Sequence, residues 1–149
     1  MSEVQVSMVP RDHVHDAWEH VRGYIDAATK YTYGRYETDD VLSLITDYDH
    51  ILWIAFRDNK IIGCVVTHFI NYPRKRFLGC PVVTGDDFPS WKGPMLELLQ
   101  KWAYDNHCDG LEATARLGFS RVFKDDGYEA MWQTFQLPAA DAGLGAYDG

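Results

Sequence analysis

The side chains able to do chemistry are spread unevenly along this chain. "DHVHDAWEH" at 12–20 holds His13, His15, Asp16 and His20, and His15 and Glu19 are four apart, on one face of a helix. Metals are bound by such groups, but spacings of two and seven residues do not bring three ligands to one point. A solvated face is expected, and no metal is assigned. Cys64, Cys80 and Cys108 lie far apart with no CxxC pair, which reads as reduced thiols in a cytosol-like compartment. Near Cys80 only the basic run "YPRKRF" (72–77) would lower a thiol pKa, so that cysteine is expected to be inert. The run itself suits an acidic partner, or simply the solubilising tip of a hairpin. "YTYGRY" (31–36) sets three tyrosines beside Gly34 and Arg35, a composition frequent in protein contacts. Tyr31, Tyr33 and Tyr36 are therefore the interface candidates.

Composition narrows the function classes. The 149 residues fit one domain able to bury a core, and 22 acidic against 14 basic side chains leave a net charge of −8. Such a field repels phosphate backbones, so neither nucleic acid nor a membrane surface is the expected partner. The start "MSEVQVSMVP" alternates like a strand and lacks the basic flank and apolar run of a secretion signal. No apolar stretch approaches membrane-spanning length.

The elements that must position these groups follow from periodicity. "VQVSMV" (4–9) predicts a strand, Asp12 a helix cap, and Val14, Ala17, Trp18, Val21, Tyr24, Ile25 and Ala28 an apolar helical stripe. Thr38 is placed as the N-cap of a short second helix. "ILWIAF" (51–56) reads as a strand covered on both faces, "RDNK" as a turn, and "IIGCVVTHFI" (61–70) as its hairpin partner. "FLGCPVV" (77–83) is a further strand, interrupted by a bulge or an end at Gly79 and Pro81. "TGDDFPSWKG" predicts a ten-residue loop before a helix that starts at Pro94 and carries Met95, Leu98, Leu99, Trp102 and Ala103. "CDGLEATA" (108–115) then reads as a strand, "RLGFSRVFKDDG" as a short helix, and "YEAMWQTFQL" (128–137) as a last strand. Residues 138–149 read as a flexible or partner-docked tail after a domain spanning 1–137.

This order of elements resembles the Gcn5-related N-acetyltransferase (GNAT) fold: α/β (α+β), a mostly antiparallel twisted sheet flanked by about four helices, here shortened at the C-terminus. "LLQKWAYDNHCDGLEATARLGFSRVFKDDGY" (98–128) is also similar to small GNAT-like proteins encoded by bacteriophages, which pair a Trp-Ala helix with a Gly-(Trp/Phe)-x-Arg-Val segment and a Gly-Tyr end. The resemblance implies that acyl-CoA, if bound, would rest its diphosphate on the start of the central helix, where backbone N–H groups and the helix dipole favour an anion. The usual (Gln/Arg)-x-x-Gly-x-(Gly/Ala) signature is absent from "VVTGDDFPSWKGPM" (82–95), where Asp86 and Asp87 oppose an anion. Val82 and Val83 for the pantetheine arm, with Lys92 and Gly93 for the diphosphate, are the cofactor candidates. The tyrosine that often protonates the departing thiolate is replaced by Phe123, with Val122 before it, and an Asn often found earlier by Arg116.

If chemistry persists, its base would come from Glu112, Asp86, Asp87 or His68 and its acid from Tyr128. These departures make a non-catalytic component of a virion or its assembly the leading expectation. It would have a degenerate acyl-CoA site and no required cofactor, and would bind other phage structural proteins or itself. It would reside in the host cytoplasm and in the particle. An acetyl-CoA-dependent N-acyltransferase with a non-standard site is the alternative.

Overall fold

The computed structural model describes residues 3–114 and 125–139. Strand β1 (Gln5–Val9) leads through a single tight turn at Arg11–His13 into helix α1 (Val14–Thr29), and α2 (Thr38–Asp47) follows. Strands β2 (Ile51–Arg57), β3 (Lys60–Asn71) and β4 (Arg76–Gly85) come next, then α3 (Phe88–Asp105) and β5 (Gly110–Ala113). The sheet order is β1-β2-β3-β4-β5, antiparallel throughout except for the parallel β4–β5 pair. The mixed, mostly antiparallel sheet is the fold class expected from the sequence. The predicted fourth helix falls largely on residues 115–124, outside the described residues.

Both faces of the sheet are covered, which is why β2 and β3 read as continuous apolar runs. Val14, Val21, Ile25, Val41 and Ile45 from α1 and α2 bury Leu52, Cys64, Val66 and Val82 on one face. On the other, Trp91, Met95, Leu99 and Ala103 of α3 pack on Trp53, Val65, Leu78 and Cys80. Thr67 is buried among them and accepts a 2.8 Å hydrogen bond from Trp53 Nε1, so neither polar atom is stranded. Asp58 and Asn59 both have positive φ (54° and 64°), as a two-residue mirror-image turn between twisted strands requires.

The bulge expected near Gly79 and Pro81 is present. Val66 faces Val82 and His68 faces Gly79, so Thr67 alone opposes Cys80 and Pro81. Pro81 has no N–H to give a ladder, and the extra residue absorbs that loss.

Several local expectations are corrected. The turn Arg11–His13, not an Asp12 side-chain cap, opens α1. Glu37, not Thr38, caps α2: its side chain takes the Asp40 N–H while the Asp40 carboxylate takes the Glu37 N–H. Thr38 instead bonds Asp26. Helix α3 starts at Phe88 rather than Pro94, so the supposed ten-residue loop is mostly helix. Pro89 fits the first turn, and Trp91, Met95 and Leu99 at intervals of four bury one stripe. Pro94 therefore lies inside the helix, where it removes one hydrogen bond.

Residues 128–137 form no strand. Their apolar side chains fall on both alternating faces, and β5 offers only four residues of edge to pair with. Met131, Trp132, Phe135 and Leu137 are accordingly 68%, 69%, 86% and 90% exposed.

Candidate active site

The site begins where two parallel strands part. β5 pairs with β4 from Phe77 opposite Gly110 to Cys80 opposite Ala113, and there its ladder ends. β4 passes through its bulge and continues along β3 to Gly85. A cavity of about 40 Å³ remains at this parting, lined by Cys80, Val83, Phe88, Lys92, Ala113 and Tyr128, among others. The sequence candidates Val83, Lys92 and Tyr128 thus meet in one cleft. Val82 is buried against α1 and α2 on the opposite face, and Gly93 lies one residue on from Lys92 with open space where a side chain would be.

The mouth of α3 is tightly organised. Trp91 is fully buried, presses on Gly63, and donates from Nε1 to the Asp86 carbonyl at 2.9 Å. The Asp86 N–H is already taken by the Ile62 carbonyl at 2.7 Å and the Ser90 N–H by that of Asp87 at 2.9 Å, while Pro89 has none. Few first-turn donors are left for an anion. The two carboxylates each have a partner: Tyr24 donates to Asp86 at 2.9 Å, and Arg57 pairs with Asp87 at 3.2 Å. Burial, then the Asp86 bond, raises the Tyr24 pKa, so that phenol keeps its proton. Lys92 is held 3.3 Å from Asp126, a contact no sequence pattern signalled.

A second group of ionisable side chains lies beside the same parting. By strand alternation His68 shares the face of Cys64 and Val66, the face covered by α1 and α2. Gly79 stands opposite His68 on β4, and Glu112 stands opposite Gly79 on β5. Gly79 has no side chain, and the end of Ile70 packs over it beside the imidazole: Ile70 Cδ1 and His68 Nε2 lie 2.6 and 3.3 Å from where a Cβ would sit. Tyr72 donates to both Glu112 oxygens, at 2.9 and 3.0 Å, which fixes the carboxylate. His50, just past α2, stacks on His68 with ring centroids 4.4 Å apart and contacts Asp49 at 3.2 Å.

Burial lowers the pKa of both histidines. The neighbouring His68 lowers that of His50 further, while Asp49 opposes both shifts and Glu112 opposes that of His68. Both rings are neutral at pH 7 and able to accept a proton. Sequence reasoning names His68 and Glu112 but misses His50, Asp49 and Tyr72, which become neighbours only through the β3–β4–β5 register.

The remaining candidates separate from this centre. Asp86 and Asp87 sit at the α3 mouth, engaged as described. Cys80 and Cys64 are pushed up to about 12 by burial, so neither supplies a thiolate at neutral pH. Tyr128 is raised to about 12, first by burial and then by Cys80 and Asp126, which makes its phenol a poor acid. Tyr31, Tyr33 and Tyr36 are exposed in the turn after α1. Phe123, Val122 and Arg116 lie outside the described residues. No three metal-ligating side chains converge among the described residues, and no described helix is long and apolar enough to cross a membrane. A wider depression of about 400 Å³ between Glu3, Gln5, Phe56, Asp58 and Asn59 lies at the β2–β3 turn, with no cation or imidazole among its described lining residues.

No family model matches the chain, and no curated protein matches it. Solved structures do. A predicted acetyltransferase from Clostridium acetobutylicum, determined with acetyl-CoA, is 14% identical, with a TM-score of 0.65 over 93% of this chain and 97% of its own. A GNAT family acetyltransferase from Staphylococcus aureus is 13% identical, with a TM-score of 0.66 over 93% of this chain and all (100%) of its own. An aminoglycoside acetyltransferase from an uncultured soil metagenomic sample, determined with sisomicin, is 10% identical, with a TM-score of 0.66 over 91% of this chain and 95% of its own. At such identities the likeness is one of architecture. Among the described residues, five strands in this order with three α-helices disposed about them give the chain the fold of the GNAT acetyltransferases.

Proposed function

We propose that the protein transfers an acyl group from acyl-CoA to an amine. The observation that carries this reading is the parting of β4 and β5, with an apolar cleft and Lys92 on the α3 side and the His68–Gly79–Glu112 group on the other. A thioester reaching the parting through the cleft would present its carbonyl carbon near a neutral imidazole. In the reaction the amine nitrogen bonds to that carbon, the carbon–sulfur bond breaks, and the thiolate leaves. Glu112, fixed by Tyr72, holds the substrate as its ammonium; His68 takes the proton that must leave before the nitrogen can attack, and the second proton, lost as the amide forms, passes to solvent. The thiolate takes its proton from solvent, because Tyr128 is too weak an acid.

The fit to the donor is uneven. Val83 and Phe88 suit an apolar arm. The α3 mouth offers a diphosphate Lys92 and few backbone donors, with Asp87 offset by Arg57. The soil-metagenome neighbour with sisomicin and the Clostridium neighbour with acetyl-CoA support the class of reaction, by fold alone.

The test is thiol release from acetyl-CoA with a panel of primary amines. His68→Gln is expected to lower turnover about 100-fold or more while leaving coenzyme A affinity within twofold. Equal turnover in the variant and the wild type, or none in the wild type with any amine, contradicts the reading.

A second reading is an assembly role, by self-association or within a virion. The exposure of Tyr31, Tyr33 and Tyr36, and of Trp132 and Phe135, favours it. The phage source rests on the resemblance over 98–128, part of which lies outside the described residues. A strictly monomeric protein in native mass spectrometry at tens of micromolar would remove this reading's support.

A further inference from the structure

The cleft is partly filled by the chain itself. Asp126 forms an ion pair with Lys92 at 3.3 Å, and the two side chains are only 18% and 29% exposed. Two residues on, Tyr128 lines the same cavity beside Cys80, Val83 and Phe88. Gly127 between them has φ +87°, a left-handed bend that lets both neighbours turn inward. With this segment seated, about 40 Å³ is left, room for a few waters. A site for a ligand of cofactor size needs about 300–1,000 Å³.

We propose that Asp126–Tyr128 is a self-occluding strap, which an acyl-CoA must displace by exchanging its diphosphate for the Asp126 carboxylate on Lys92 and its apolar arm for the Tyr128 ring. This rests on the reading of the cleft as the acyl-CoA seat. The exchange is balanced in kind. Lys92 trades one anion for another, and the apolar walls trade a phenol ring for an alkyl chain. The bound protein would therefore hold 126–128 away from α3 while the sheet is unchanged.

Calorimetric titration of the full chain with coenzyme A tests this, using wild type, Asp126→Asn and Tyr128→Ala. Asp126→Asn is nearly isosteric and frees Lys92, so it is expected to bind coenzyme A about three- to fivefold more tightly than wild type. Tyr128→Ala is expected to tighten binding as well. Hydrogen exchange on unaltered protein is the companion measurement. Amides of 126–130 are expected to lose protection when coenzyme A is added. If wild type binds and Asp126→Asn binds equally or more weakly, or if 126–130 becomes more protected, the strap is wrong and the acyl-CoA reading stands. If neither wild type nor variant binds coenzyme A at millimolar concentration, the strap and the acyl-CoA reading both fail.

Discussion

Two glycines separate what is structural in the site from what is chemical. A Cβ on Gly63 would lie 2.5 and 2.7 Å from Trp91 ring atoms and 3.1 Å from the Thr84 carbonyl, and the Trp91 ring is fully enclosed. Gly63→Ala is expected to cost about 1–3 kcal/mol, read as a lower midpoint in denaturant, because a packed indole cannot yield. A Cβ on Gly79 would lie 2.6 Å from Ile70 Cδ1, a flexible end, and 3.3 Å from His68 Nε2. Gly79→Ala should therefore disturb stability less than Gly63→Ala and turnover more, since the new methyl and the displaced end of Ile70 crowd the His68 imidazole. The histidines add a pH dependence. Their folded pKa values lie below the 6.5 of the free side chain, so protonation favours the unfolded chain. Their contribution to stability is complete above about pH 6.5 and declines as pH falls through the lowered folded values. The double variant His50→Gln/His68→Gln is expected to flatten the fall in unfolding free energy on acidification below pH 6.5. Of this site, His68 and Glu112 were legible as lone polar residues in apolar strands. Their shared glycine was not, because cross-strand register is not written in either strand.

At the scale of elements, α3 decides how an anion could be received. Sequence alone points to Pro94 as its start, because a proline before an apolar repeat is a strong start signal. Pro89, five residues earlier, carries the same signal, and buried Trp91 settles which one opens the helix. Lys92 and Gly93 thus lie in the second turn rather than at the tip. Gly93 is exposed and helical, with nothing within 4 Å of where a Cβ would sit. Gly93→Ala is expected to raise stability by about 0.5–1 kcal/mol, measured by denaturant unfolding. If a diphosphate approaches the backbone there, the same change weakens coenzyme A binding; an unchanged affinity would remove Gly93 from the cofactor residues. The β4 bulge was legible because proline cannot sustain a ladder. The missing strand at 128–137 was not, since an apolar run fixes burial only when a partner edge of matching length exists.

For the whole molecule, the charge of −8 sets the electrostatic conditions for any anionic ligand. Coenzyme A must approach against that field, so added salt, by screening repulsion, is expected to speed association. Weakening by salt would instead point to attraction by Lys92 as the stronger influence. The fold class was readable from the order of apolar periods. Where the candidate site lies was not, because it depends on the β4–β5 ladder ending at Ala113. The most direct measurement is a thermal unfolding titration of the full chain with acetyl-CoA. Saturable binding is expected, with stabilisation of roughly 2.7 kcal/mol at 100 times the dissociation constant. An unfolding curve unmoved at millimolar acetyl-CoA would contradict the account.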